Sequence, residues 1–175
     1  ATVGVHTAMQ DSVPMILFVG QVGTDVKGRE AFQEVDYAAF FGPLAKWAVE
    51  IDDVNRVPEI ISRAWAVALS GRPGPVVVAL PEDMLVATSD CQPSVPVTVP
   101  EPGVSAMIAD QMQAMLAAAE RPVVLFGGSR WTVESARAME SFAATHDLPL
   151  VAAFRFHDII DNHCPAYVGD AGVAM

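Results

Sequence analysis

The sequence of 175 residues predicts an α/β fold, a parallel sheet flanked by helices and followed by part of a second α/β unit. Three observations carry that expectation. Two short apolar runs, residues 15–19 and 76–80, are bounded by prolines and glycines, as buried parallel strands are. A strongly periodic helical segment lies between them. A proline-rich stretch then interrupts the chain, after which helices and strands alternate again.

The opening residues 1–11 read as the second half of a helix with no cap in front of it, the expectation for a chain cut from a longer one. The first strand follows Pro14 and ends at Gly20, and a loop with Gly23 and Gly28 comes next. Residues 36–41 predict a short helix ended by Gly42-Pro43. Residues 46–51 predict a second strand, and Asp52 or Asp53 offers the next N-cap. From 55 to 70, Val57, Ile60, Ile61, Ala64, Trp65 and Ala68 fall at helical spacing, with Pro58 in the first turn and Gly71 as the stop. The turn Gly71-Arg72-Pro73-Gly74-Pro75 leads into the strand at 76–80.

Four prolines between Cys91 and Gly103 predict an extended linker. The expected organisation is therefore a first unit over 1–88, a linker over 89–103 and a second unit over 104–175. In the last, residues 105–119 predict an amphipathic helix, 123–126 a strand, 134–145 a helix capped by Thr132, and 149–154 a strand. That order makes it the start of a Rossmann-like domain. Ligands of such sheets sit beyond the carboxyl ends of strands, so the candidate loops are 20–33, 81–85, 127–131 and 155–161.

Composition narrows the function classes. With 52% hydrophobic and 18% charged residues the chain can bury a substantial core. The formal net charge is −11 and Lys27 and Lys46 are the two lysines, which argues against nucleic acid as a partner. The apolar runs fall far short of the roughly 20 residues that span a bilayer, so no membrane association is expected and the chain is read as cytoplasmic. Cys91 and Cys164 lie far apart and are expected to be reduced thiols. His157-Asp158 and His163-Cys164 lack matching ligands at recognised spacing, so they are read as loop residues with local hydrogen bonds, and no metal site is assigned.

A series of phrases in fixed order says more. Asp11-Ser12-Val13-Pro14 is followed by Gly20-Gln21-Val22, Gly28, Ala31-Phe32-Gln33-Glu34, Lys46, Gly71-Arg72-Pro73-Gly74-Pro75-Val76 and Leu80-Pro81-Glu82-Asp83. Their order and spacing resemble the cofactor-pyrimidine-binding domain of the acetolactate synthase group of thiamine-diphosphate enzymes. Residues 121–128, Arg-Pro-Val-Val-Leu-Phe-Gly-Gly, are similar to the start of that family's central domain. The loop at 154–172 resembles that of acetolactate-synthase-like relatives of the biosynthetic enzyme.

The resemblance implies a partial thiamine-diphosphate-binding fold from an enzyme acting on 2-keto acids, with thiamine diphosphate and Mg2+ as cofactors and a homodimeric or homotetrameric parent. It implies that Phe32 and Gln33 lie close to cofactor and substrate, where an aromatic walls off water and an amide hydrogen-bonds a carbonyl. The alternative is that Phe32 packs and Gln33 is an ordinary loop amide. Lys46 matches a family lysine next to the strand after the short helix, which makes it a catalytic candidate, or is a surface cation. Gln21, ending a strand, is a cofactor contact, a subunit contact or a turn-stabilising side chain. Gly127 and Gly128 resemble a segment of flavin-binding relatives, which makes FAD a candidate cofactor, or they serve tight packing.

Departures from the family pattern also count. Ser129 stands where many flavin-binding relatives have a third glycine, and Thr98 where an arginine is sought. Gly169-Asp170-Ala171 lacks the second glycine of the family's metal and diphosphate motif, and no residue stands in for the activating glutamate. The resemblance therefore implies that this chain alone is catalytically silent. The rival readings are a 2-keto acid decarboxylase or acyl-coenzyme-A lyase of the same superfamily, and a noncatalytic nucleotide-binding or structural module.

Overall fold

In the computed structural model, which describes residues 1–172, the chain forms two compact units, Ala1–Pro100 and Glu101–Met175. The first contains α1 (Thr2–Gln10), β1 (Met15–Gln21), α2 (Tyr37–Phe41), β2 (Trp47–Glu50), α3 (Val57–Leu69), β3 (Pro75–Pro81) and α4 (Glu82–Val86). The strands form an all-parallel sheet in the order β1-β3-β2. The two apolar runs are thus adjacent, with Ile16 opposite Val76 and Val19 opposite Ala79.

β3 is the centre of this unit. Val76, Val77, Val78 and Ala79 are fully buried, because helices cover both faces of the strand. On one face Val76 and Val78 pack against Ile60, Ala64 and Ala68 of α3 and against Ile51. On the other, Val77 packs against Val5 of α1, Phe41 of α2 and Ala45. The helix ends are set by local chemistry. Asp36 caps α2 through its side chain, and Asp53 caps a short 3-10 turn, Val54–Arg56, that leads into α3.

Two cations seal the other ends. Lys46 Nζ donates to the carbonyls of Val67 and Ser70, the last turn of α3. Arg72 donates to Ser12 Oγ at 2.8 Å and to the carbonyls of Met9 and Gln10 at the end of α1. A positive charge at the negative end of a helix stabilises it by about 0.3–1 kcal/mol at an exposed site.

The second unit contains α5 (Ala106–Ala118), β4 (Val124–Phe126), α6 (Val133–Thr145), β5 (Leu150–Ala153) and β6 (Tyr167–Ala171), with a parallel sheet in the order β4-β5-β6. Its core joins Phe126, Leu150 and Ala152 to Ala136 and Ala143 of α6. Thr132 and Ser135 form a reciprocal capping box at the start of α6.

Three expectations need correction. Residues 82–86 form a helical turn rather than a loop, because β3 runs on through Pro81 and Glu82 and Asp83 suit a first turn. Residues 167–171 form a strand the sequence did not announce: Gly169 and Asp170 weaken the apolar pattern, and the register shifts between Leu150 and Val151. The second sheet is covered by α6 on one face while Leu125 and Val168 on the other remain 61% and 64% exposed, and α5 buries no residue. The sequence pattern is that of a covered sheet, but the described residues supply a layer on one side.

Shortening Ile51, 1% exposed at the base of the α3 core, to alanine is expected to cost about 2–5 kcal/mol. Val3→Ala on the exposed side of α1 should change stability by less than about 0.5 kcal/mol. Urea unfolding followed by tryptophan fluorescence separates the two.

Candidate functional site

The carboxyl ends of β1, β2 and β3 carry Gln21, Glu50 and Pro81, so the loop leaving β1 spreads over the edge where ligands of parallel sheets gather. This loop, residues 22–35, is held from several sides. Near its start, the Thr24 amide and hydroxyl both donate to the Asp83 carboxylate, the former at 3.1 Å. In its middle, Lys27 Nζ pairs with Glu50 Oε1 at 2.6 Å. Near its far end, Glu34 turns back to accept the amides of Gly28 and Ala31, the latter at 3.1 Å.

Charge follows these contacts. Hydrogen bonds from the Gly28 and Ala31 amides hold the Glu34 carboxyl below its ordinary value. The Thr24 hydroxyl and amide do the same for Asp83. The hydrogen bond to Glu50 raises the Lys27 ammonium, and the charges of Glu50, Asp36 and Asp52 add to it. All three groups are therefore held in their charged forms.

Gln21 is 4% exposed and spends its amide within the chain. Nε2 donates to the Val35 carbonyl at 2.7 Å and to Glu50 Oε2 at 3.2 Å, and Oε1 accepts from the Val22 amide at 3.0 Å. It thereby joins both ends of the loop. Lys46 lies at the opposite end of β2 from this edge, against α3. Phe32 and Gln33 are among the exposed residues of the loop. Phe32 is 88% exposed, and Gln33 is held at φ 67°, in the left-handed region that costs a residue with a Cβ roughly 1–2 kcal/mol.

Glu50, Lys27, Thr24 and Asp83 were not singled out from the sequence as site residues. One signal was available: Glu50 places a carboxylate at the end of an otherwise apolar strand.

In the second unit, the Gly127-Gly128 turn has the geometry of close packing. A Cβ on Gly127 would lie 2.8 Å from Ala153 Cβ and 3.1 Å from the Phe156 ring, and its carbonyl accepts from Trp131 Nε1 at 3.0 Å. Gly128 adopts φ 82°. The start of α6 is already satisfied by Thr132 and Ser135. The contacts of this turn are packing and capping contacts. A cavity of about 440 Å³ lies elsewhere, between Val57, Ile61 and Trp65 of α3 and the proline-rich residues 93–97, and shares no residue with the loop. No group of three or more histidine, cysteine or acidic side chains suited to a metal occurs among the described residues. No helix among them is long and apolar enough to cross a membrane.

The class of protein follows from the fold: parallel α/β units, the first with a strained, anchored loop at the carboxyl edge of its sheet. Residues 109–175 match the family described as "Thiamine pyrophosphate enzyme, central domain". Over 97% of its length the chain is 30% identical to the acetolactate synthase isozyme 2 large subunit of Escherichia coli K12, covering 31% of that protein. Over 83% it is 34% identical to the glyoxylate carboligase of Escherichia coli O157:H7, covering 25% of it. The acetolactate synthase large subunit of Lactococcus lactis is 33% identical over 87% of the chain, which covers 27% of that protein. The chain is acetolactate-synthase-like along most of its length, and its residues 109–175 match the thiamine-diphosphate enzyme family. It spans about a quarter to a third of the length of these curated relatives.

Two outcomes are expected. Because Glu34 and Asp83 have depressed folded values, their contribution to loop order is complete above the ordinary carboxylate range and is lost as pH falls through those values. An NMR titration of the Gly28 amide proton should therefore turn over below the usual glutamate range. Gly127→Ala should destabilise the second unit by about 1–3 kcal/mol through overpacking against Ala153 and Phe156, read by thermal unfolding.

Proposed function

We propose that the chain is part of an acetolactate-synthase-like, thiamine-diphosphate-dependent carbon–carbon lyase or ligase acting on 2-keto acids, and that the loop 22–35 faces the cofactor. The observation that supports this best is the loop itself. An aromatic ring left 88% exposed beside a glutamine in a left-handed conformation is costly, and strain of this kind collects at functional sites. The phrase Ala31-Phe32-Gln33-Glu34 is where the family resemblance places groups close to cofactor and substrate.

The residues present fit one side of such a cofactor. When bound, thiamine diphosphate supplies the carbon nucleophile that attacks a 2-keto acid carbonyl and the electron sink for decarboxylation. Phe32 would exclude water from that centre, and Gln33 would offer a neutral amide to a substrate oxygen. Gln21 and Lys46 support this arrangement from within the scaffold, the former by tying the loop ends and the latter by closing α3. The activating glutamate and the diphosphate and Mg2+ ligands are assigned to other parts of a larger protein, working as a homodimer or homotetramer in the cytoplasm. The sequence contains no Gly-Asp-Gly motif. The glyoxylate carboligase among the relatives favours a ligation as the second half of the reaction.

In a full-length enzyme containing these residues, Gln33→Ala is expected to slow carbon dioxide release from 2-keto acids by roughly 100-fold while leaving the melting temperature unchanged. Unchanged turnover would return Gln33 to an ordinary loop amide. The 175-residue chain alone is expected to bind thiamine diphosphate weakly or not at all with Mg2+ present. Low-micromolar binding by titration calorimetry would show that the diphosphate site lies within these residues.

A further inference from the structure

Glu50 closes an otherwise apolar strand, Trp47-Ala48-Val49, and its carboxylate reaches in two directions at once. Oε2 accepts from Gln21 Nε2 at 3.2 Å, and Oε1 accepts from Lys27 Nζ at 2.6 Å. Gln21 also holds the Val35 carbonyl at 2.7 Å and the Val22 amide at 3.0 Å. A single carboxylate on β2 therefore connects to the beginning, the middle and the end of the loop that starts from β1. The side chain of Glu50 is 16% exposed, so these contacts act where water screens them less than at an open surface.

The other anchors do different work. Asp83 holds Thr24, two positions beyond the loop's start, and Glu34 folds the loop onto itself. Neither ties the far end, beside Phe32 and Gln33, to the sheet. The Gln21–Glu50 pair does, because the Val35 carbonyl is fixed by the same amide that Glu50 orients. An amide has two donors and one acceptor, and the Val22 contact already fixes which end is oxygen. With its oxygen committed, Nε2 needs an acceptor on the β2 side, and a carboxylate supplies one while leaving its second oxygen for Lys27.

We propose that Glu50 is a positioning residue for the loop 22–35, setting the place of Phe32 and Gln33 through Gln21 and Lys27. What the loop is positioned for rests on the thiamine-diphosphate reading; the clamp itself rests on these contacts. Glutamine at position 50 cannot replace the carboxylate, since it brings one acceptor oxygen to two donors and sets its own NH2 against the other.

Hydrogen exchange of the 175-residue chain, read by mass spectrometry, tests the clamp without cofactor or substrate. In Glu50→Gln and in Lys27→Met, amides of residues 22–35 are expected to exchange roughly tenfold faster, the loss of one charge-assisted contact. Amides of β3 and the melting temperature should stay at wild-type values. The double variant should exchange no faster than the faster single variant, and Lys27→Arg, which keeps the cation, should restore most of the protection. Wild-type loop exchange in Glu50→Gln would overturn the proposal, as would additive effects in the double variant. A matching rise in β3 exchange would overturn it too, by making Glu50 a general stabiliser. Because the readout needs no thiamine diphosphate, failure of the clamp leaves the functional reading standing, and failure of that reading does not release the loop.

Discussion

The first unit is organised by the burial of one strand on both faces. β3 contributes Val76, Val77, Val78 and Ala79 at zero exposure, and a strand without polar side chains at these positions has no face to offer water. It must lie in the middle of a sheet between two helical layers. That requirement puts β1 and β2 on either side in parallel register and brings three strand ends to one edge. It also forces each connection to cross over the sheet, which α3 does between β2 and β3. The loop that carries Phe32 and Gln33 stands where it does because β1 is held beside β3 as far as Gln21.

Several phrases that carry the family resemblance have physical reasons of their own. Asp11-Ser12-Val13-Pro14 and Gly71-Arg72-Pro73-Gly74-Pro75 lie some 60 positions apart, yet Arg72 binds Ser12 and the last carbonyls of α1. Gly74 allows the Lys46 stem to pass, since a Cβ there would lie 3.0 Å from Lys46 Cδ. Lys46 then reaches the end of α3. These residues fasten helix ends to the turn that starts the central strand. In the loop phrase, Glu34 is also architectural, and Phe32 and Gln33 are the members that face outward.

Periodicity and punctuation made most of the fold legible in the sequence. Apolar runs between prolines and glycines marked β1 and β3, Thr132 marked the start of α6, and Asp52 or Asp53 the entry to α3, by capping chemistry that acts within three residues. β6 was not legible, because a five-residue strand with Gly169 and Asp170 has neither alternation nor an apolar run. The exposure of α5 was not legible either: Met107, Ile108, Met112 and Met115 recur at helical spacing, and spacing states which face is apolar without stating what meets it. The site divided in the same way. Resemblance pointed to Phe32 and Gln33, which lie exposed on the loop, but Glu50 with Lys27 and Asp83 with Thr24 are pairs 23 and 59 residues apart. Nothing local in the sequence couples such partners; the sheet brings them together.

The loop shows how strain and anchoring divide between residues. Gly28, Glu30 and Gln33 all adopt positive φ, and two of the three carry side chains that disfavour it. A segment with this backbone does not hold its shape by propensity, so its conformation must come from contacts made elsewhere. Those contacts are charged or polar, come from three carboxylates and one buried amide, and arise from the ends of β1 and β2, the first turn of α4 and the loop itself. Apolar packing could not substitute: Phe32 lies open, and the loop has no core of its own. The consequence is a loop whose outward side chains are free to meet a ligand because its inward ones are fully engaged. Order is thus supplied from the sheet edge, and the cost of positive φ at Gln33 is offset by hydrogen bonds that do not involve Gln33's own side chain.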